Sequence, residues 1–241
     1  MLVRGGSAAL LLVVALVLAG CGLFGGGKER AGEACLDRLE AEHVAFTPAP
    51  VHAASSACTI DNPVRVTDAA MSWRPAGLLA CGFAARFDNF LATTAEPLAK
   101  RRLGASITSM RQLGTYSCRR MVGGKHMSEH ARGLAIDVAG FFLSDGRYVS
   151  VETDWREGGR KEAFLHDFAR DACAKFGVVL TPDANSAHFN HIHIDAGRYK
   201  VCGMRRADGT LPPELIHATA QSGEGGPALP PAHENIADAG E

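Results

Sequence analysis

Two stretches decide how this chain is read: Ser128-Glu129-His130-Ala131-Arg132-Gly133-Leu134-Ala135-Ile136-Asp137-Val138 and His188-Phe189-Asn190-His191-Ile192-His193-Ile194-Asp195. In a strand, successive side chains point to opposite faces. Asp137 therefore points away from Ile136 and Val138, and His191, His193 and Asp195 point away from Ile192 and Ile194. Each strand has one apolar face and one face able to ligate a metal. Pairing the two strands buries the isoleucines and sets Asp137 beside His193. His130 then enters from a turn opened by Gly133, a residue free to take positive φ. Two imidazoles and one carboxylate leave a tetrahedral position open for water, the arrangement of a catalytic rather than a structural zinc. His43, His52, His126, His166, His217 and His233 lie outside this pattern and read as ordinary polar side chains.

Around these strands the pattern is mixed. Lys28 to Phe46 has helical spacing, and Ala76 to Leu103 places Leu79, Phe83, Phe87, Phe90 and Leu91 at i, i+3 and i+4 positions of a core helix. Ala105 to Met121 reads mostly as strand, and Ala135 to Phe142 as a second, apolar one. Lys161 to Phe176 is the clearest helix, stopping at Gly177 as a C-terminal cap. Val178 to Leu180 and His191 to Asp195 are short strands around a turn at Thr181 to Asn185. No βαβ rhythm and no internal repeat is present. The expectation is one α+β domain over residues 30–205, with a small antiparallel sheet flanked by helices.

The ends differ from this body. Arg4 followed by the apolar run Ala8 to Leu18 has the form of a signal peptide over residues 1–20, too short to span a bilayer. Leu18-Ala19-Gly20-Cys21 resembles the lipobox of bacterial lipoproteins, which implies cleavage before Cys21 and diacylation of its thiol. Two acyl chains hold a protein firmly to a membrane. Gly22 after the cysteine favours the outer membrane of a diderm cell, and residues 21–29, with Gly25-Gly26-Gly27, read as a flexible tether. Residues 206–241 are rich in Pro, Gly and Ala without periodicity and read as disordered. The remaining cysteines, Cys35, Cys58, Cys81, Cys118, Cys173 and Cys202, are even in number in an exported chain and imply three disulfides. Their connectivity is open, with a preference for Cys173 to Cys202. The composition is ordinary for a globular chain: 241 residues, 46% hydrophobic, formal net charge −1. With no Lys/Arg cluster it offers no electrostatic footprint for nucleic acid.

The motifs SEHARGLAIDV and HFNHIHID resemble the bacterial extensin-like C-terminal domain family, over roughly Cys35 to Cys202. They are also similar to motifs of the zinc peptidases that include D-Ala-D-Ala carboxypeptidases, lysostaphin-type endopeptidases and the hedgehog fold. The spacing of His188, His191 and His193 looks most like that of the penicillin-insensitive murein endopeptidases. The resemblance implies zinc on His130, Asp137 and His193, and a peptidase acting on peptidoglycan peptides. His191, two residues before a ligand on the same strand face, is the candidate general base or acid, and His188 is a second by resemblance. For both, orienting a ligand is the competing role, and Asp195 is a further candidate for that support. Arg119 is placed to polarise a carbonyl or hold a substrate carboxylate, against the alternative of a plain surface arginine. Ser128 matches the serine opening the motif and suits turn-shaping or substrate binding. Where the carboxypeptidases have a Glu three residues before the final ligand, this chain has Asn190, which cannot act as a base. The rival expectation is a zinc-containing binding or structural module that cleaves nothing.

Overall fold

The computed structural model describes residues 26–50, 55–121, 124–206 and 208–213. The expected signal peptide, Cys21, His52, His217, His233 and nearly all of the expected tail lie outside the described residues. Helix α1 spans Gly26–Ala41, followed by strands β1 (Ala45–Pro48), β2 (Pro63–Asp68) and β3 (Ser72–Ala80). Helix α2 (Cys81–Phe90) passes through a π-helical turn into α3 (Glu96–Leu103), and β4 (Ile107–Gly114) and β5 (Ala135–Leu143) follow. The chain continues through β6 (Tyr148–Ser150), α4 (Val151–Asp154), α5 (Gly159–Lys175), β7 (Val178–Leu180), β8 (Ile192–Asp195) and β9 (Val201–Gly203).

The α+β class and the single domain hold, with nine strands among the described residues forming one sheet of order β1-β2-β3-β4-β5-β8-β7-β9 and β6 added beside β5. The sheet is wider than expected and mixed, since β3 pairs with β4 and β7 with β9 in parallel. The additional width comes from segments whose period is ambiguous. Ala76 to Ala80 was expected to open a helix, but Leu79 lies opposite Val64 in the ladder and the helix starts at Cys81. An apolar run without a breaker suits either period, and pairing with β2 decides. The first helix ends at Ala41 rather than Phe46, because His43 turns left-handed (φ 58°) and Ala45 joins the sheet. At its other end α1 already begins at Gly26, inside the stretch read as a tether. The strand expected over Ala105 to Met121 stops at Gly114, where the backbone leaves the ladder to serve the site described below.

Helices α2 and α5 cover one face of the sheet and bury an aromatic cluster. Phe168, fully buried, has its ring centroid 5.3 Å from that of Phe90 and 5.1 Å from that of Phe141. Phe83, Phe87 and Phe176 extend the cluster with centroids 6.0 Å apart. Ile136, Val138, Ile192 and Ile194 lie fully buried on the same side, as the alternation required. The opposite face of β5 and β8 is thereby left for polar side chains.

Three disulfides close the domain: Cys35 with Cys81, Cys58 with Cys118, and the preferred pair, Cys173 with Cys202. The first ties α1 to the β3–α2 junction and the third ties α5 to the sheet edge. Each removes unfolded-chain entropy of about 3–4 kcal/mol on a loop-closure account. Replacing Phe168 by Ala is expected to lower the unfolding free energy by about 3–5 kcal/mol, read from urea unfolding. The exposed Arg170→Ala control is expected to cost about 1 kcal/mol or less.

Candidate metal centre

The centre is assembled by the pairing of β5 with β8, in which Asp137 lies directly opposite His193 and Val138 opposite Ile192. His130 comes from a short 3-10 turn, Glu129–Arg132, capped by Ser128, whose hydroxyl accepts from the His130 amide at 3.3 Å. Gly133 closes that turn left-handed (φ 63°), and a Cβ there would stand 2.8 Å from the Ala80 amide nitrogen. No other residue type fits that position without displacing β3. Ser128 is itself buried, 6% exposed, with its hydroxyl turned to this cap.

Three atoms converge. His130 Nε2 lies 3.1 Å from His193 Nδ1 and 3.3 Å from Asp137 Oδ1, and His193 Nδ1 lies 3.0 Å from Asp137 Oδ1. Zinc bonds of about 2.0–2.1 Å set tetrahedral ligand–ligand edges of about 3.3 Å, so this triangle fits the ion. The far side of each imidazole is also occupied. His130 Nδ1 donates to the Thr115 carbonyl at 2.7 Å, which leaves Nε2 a lone pair. His193 turns Nε2 to Asp195 Oδ2 at 3.3 Å, which leaves Nδ1 for the centre. Asp195 is held by the amides of Val178 (3.0 Å) and Gly197 (2.9 Å). Such outer partners fix tautomer and ring orientation in metal sites.

Gly177 belongs to this support rather than to a helix cap. Helix α5 ends at Lys175 with Phe176 extended, and a Cβ on Gly177 would meet the Gly197 carbonyl at 2.3 Å and Asp195 Oδ1 at 3.0 Å. The position needs a close backbone approach.

Without a cation, the convergence must be satisfied by a proton. Burial disfavours the charged form of His193, but its bonds to Asp137 and Asp195 outweigh this and raise its pKa to about 9. Burial likewise pushes the Asp137 carboxyl up, and hydrogen bonds from His130 and His193 more than reverse it, leaving it well below the usual carboxylate range. The group most tightly held as a cation is thus the one whose Nδ1 faces the other two candidate ligands.

Two further imidazoles stand beside the triangle. His191 Nε2 is 3.6 Å from Asp137 Oδ1, and the His188 ring centroid is 5.1 Å from that of His191 and 6.1 Å from that of His193. Burial, with His191 and His193 adding to it, lowers the His188 pKa to about 3; burial lowers that of His191 against the opposing pull of Asp137. Both rings are neutral near pH 7. The sequence reading missed their partners: Asn190 Oδ1 accepts from His191 Nδ1 at 2.9 Å, and Asn185 Oδ1 from His188 Nδ1 at 2.7 Å. The available signal was an asparagine one residue before His191 and another three residues before His188, close enough for local contact.

Arg119 is exposed, and its positive charge opposes protonation of both His188 and His191, so it faces the same side of the site. The adjacent Cys118 is bonded to buried Cys58, and the Arg119 carbonyl accepts from the Ser128 amide at 3.1 Å. Among the described residues, His130, Asp137 and His193 are the group found able to share a metal ion. His166 instead pairs with the Trp155 carbonyl at 3.0 Å.

The family model for the extensin-like protein C-terminus matches residues 33–203, and the chain belongs to that family. No curated protein and no solved structure matches it.

The proton on His193 makes metal-free stability depend on pH. The folded pKa lies above the unfolded value of 6.5, so its contribution is full below about pH 6.5, declines as pH rises and is absent above about pH 9. The depressed Asp137 works in the other direction, contributing above the usual carboxylate range and losing its contribution on acidification. Urea midpoints in EDTA are expected to fall between pH 6.5 and 9, and Asp137→Asn to flatten that fall. An unchanged slope in the variant would mean another group carries it.

Proposed function

We propose that this member of the extensin-like family is a zinc-dependent hydrolase of the bacterial envelope that acts on stem or cross-link peptides of peptidoglycan. The observation that carries the reading is the triangle of His130 Nε2, Asp137 Oδ1 and His193 Nδ1, with edges of 3.0–3.3 Å. Two imidazoles with one carboxylate leave part of a tetrahedral shell open, as hydrolytic zinc sites do. The substrate class rests on the similarity of both motifs to those of the murein endopeptidases and D-Ala-D-Ala carboxypeptidases.

Zinc bound here would supply a Lewis acid that polarises a peptide carbonyl and eases deprotonation of water. His191 is the group to move that proton. Its Nδ1 is committed to Asn190, so its Nε2 lone pair is free and lies beside the ligands. His188, equally neutral and equally fixed by Asn185, is placed to receive or return the proton at a second atom. Arg119 offers a forked cation to a stem-peptide carboxylate or to the developing oxyanion. Asn190, where related carboxypeptidases have Glu, orients a histidine and transfers nothing. Anchoring through diacylated Cys21, on the periplasmic face of the outer membrane, would keep the site beside its polymer. Among the described residues no helix is long and apolar enough to cross a membrane.

Metal analysis and digestion of purified peptidoglycan, with fragments identified by mass spectrometry, test the reading. The wild type is expected to carry about one zinc per chain and release peptide fragments; His193→Ala should lose both. His191→Ala should keep zinc and lose activity by about 100-fold or more. Iron in place of zinc overturns the metal assignment, and zinc without fragments favours a binding module. Cys21→Ser is expected to move the protein from the membrane fraction to the soluble fraction, read by immunoblot.

A further inference from the structure

At the junction of α3 and α5, at the other end of β4 from the metal centre, lies an open surface cavity of about 430 Å³ lined by Arg101, Arg102, Gly104, Gly159, Arg160 and Ala163, its three arginines exposed. Its ionisable lining consists of three guanidiniums and contains no carboxylate. Arg102 is tied to Asp167 at 2.7 Å, but Asp167 is shared with Arg170 at 2.5 Å. Arg101 and Arg160 have no carboxylate partner among the described residues. Glu162, on the first turn of α5, turns its Oε2 to the Gly158 amide at 2.7 Å. The helix ends do not supply the missing charge. The C-terminus of α3 contributes about −0.5 and the N-terminus of α5 about +0.5, and the two cancel. The cavity keeps an excess of positive charge.

We propose that this cavity binds a phosphate group, carried either by the headgroup of an anionic phospholipid or by a soluble phosphate ester. Guanidinium forks match the geometry of phosphate oxygens and bind them by charge-assisted hydrogen bonds. The volume falls within the range of about 300–1,000 Å³ typical of small-ligand sites, which leaves room for an organic group beside the phosphate. Helix α3 leads into Ile107, which pairs with Leu143, whereas the metal centre lies where Gly114 meets Asp137. At about 3.3 Å per residue the two ends of β4 stand roughly 20 Å apart. A ligand here leaves the metal centre open, and the proposal does not depend on the hydrolase reading.

The purified full chain is mixed with inorganic phosphate, glycerol 3-phosphate, vesicles of phosphatidylcholine, or vesicles of phosphatidylcholine and phosphatidylglycerol in equal parts. Amide hydrogen exchange is followed at residues 101–104 and 158–163. Added protection with the soluble phosphates supports the site. If phosphatidylglycerol vesicles protect and pure phosphatidylcholine vesicles do not, the source is a lipid headgroup; the N-terminal lipid is common to both vesicles and cancels. Protection by glycerol 3-phosphate without that vesicle difference identifies a soluble ester. Arg101→Ala/Arg160→Ala is expected to weaken binding about tenfold or more with an unchanged melting temperature, and the corresponding Lys pair to restore part of it. No protection by any phosphate probe, or undiminished binding by the Ala pair, overturns the proposal.

Discussion

The register between β5 and β8 is the constraint on which the rest of the site depends. Asp137 faces His193 only because Ile136 faces Ile194 and Val138 faces Ile192. A slip of one residue would turn every side chain of the strand to the other face. It would bury the carboxylate and an imidazole among phenylalanines and expose the isoleucines. Burying a charge without a partner costs far more than a single apolar contact returns. The apolar face under α2 and α5 therefore fixes the position of a carboxylate it does not touch, and the precision of the centre derives from core packing.

The same division explains what could be read from the sequence. Apolar and polar residues alternate through Ile136-Asp137-Val138 and Ile192–Asp195, so the faces of these strands and the placement of Asp137 beside His193 follow from periodicity. Gly133 carried its own signal as a turn residue. What the sequence did not show was non-local: strand β3 inside an apolar run of helical period, and the support of His130 from the Thr115 carbonyl. Thr115 follows the end of β4 and no pattern singles it out, since its contribution is a backbone carbonyl. Gly177 was assigned to a helix cap because it follows a helix, whereas its constraint comes from the Gly197 carbonyl across the sheet.

Several independent elements hold one loop. The segment from Thr115 to Ser128 provides the carbonyl that fixes His130, the arginine facing His188 and His191, and the cap of the 3-10 turn. Apart from one antiparallel bridge between Arg120 and Met127, its described residues are not held by a ladder, since the strand ends at Gly114. The disulfide from Cys118 to buried Cys58, the Tyr116 hydroxyl donating to the Cys58 carbonyl at 3.1 Å, and the Thr115 hydroxyl accepting from the Leu78 amide at 3.0 Å take its place. An irregular backbone at a site is free to present carbonyls and side chains that a ladder would consume. It then needs cross-links to stay in one conformation.

The choice of outer partners separates the histidines by role. A carboxylate behind an imidazole stabilises its protonated form and makes it a stronger donor to a cation, and Asp195 stands behind His193 in this way. An amide oxygen fixes the same tautomer without adding charge, and asparagines stand behind His188 and His191. Burial keeps these two rings neutral near pH 7 although Asp137 is close by, the amide oxygens add no charge that would oppose it, and each ring keeps one nitrogen free to accept a proton. Exchanging the partners would reverse the arrangement: aspartates at positions 185 and 190 would draw protons onto the flanking rings and oppose a cation in the centre. The pattern of one carboxylate and two amides thus suits the proposed divalent ion at His193 with neutral bases around it, the electrostatic condition the proposed hydrolysis would require.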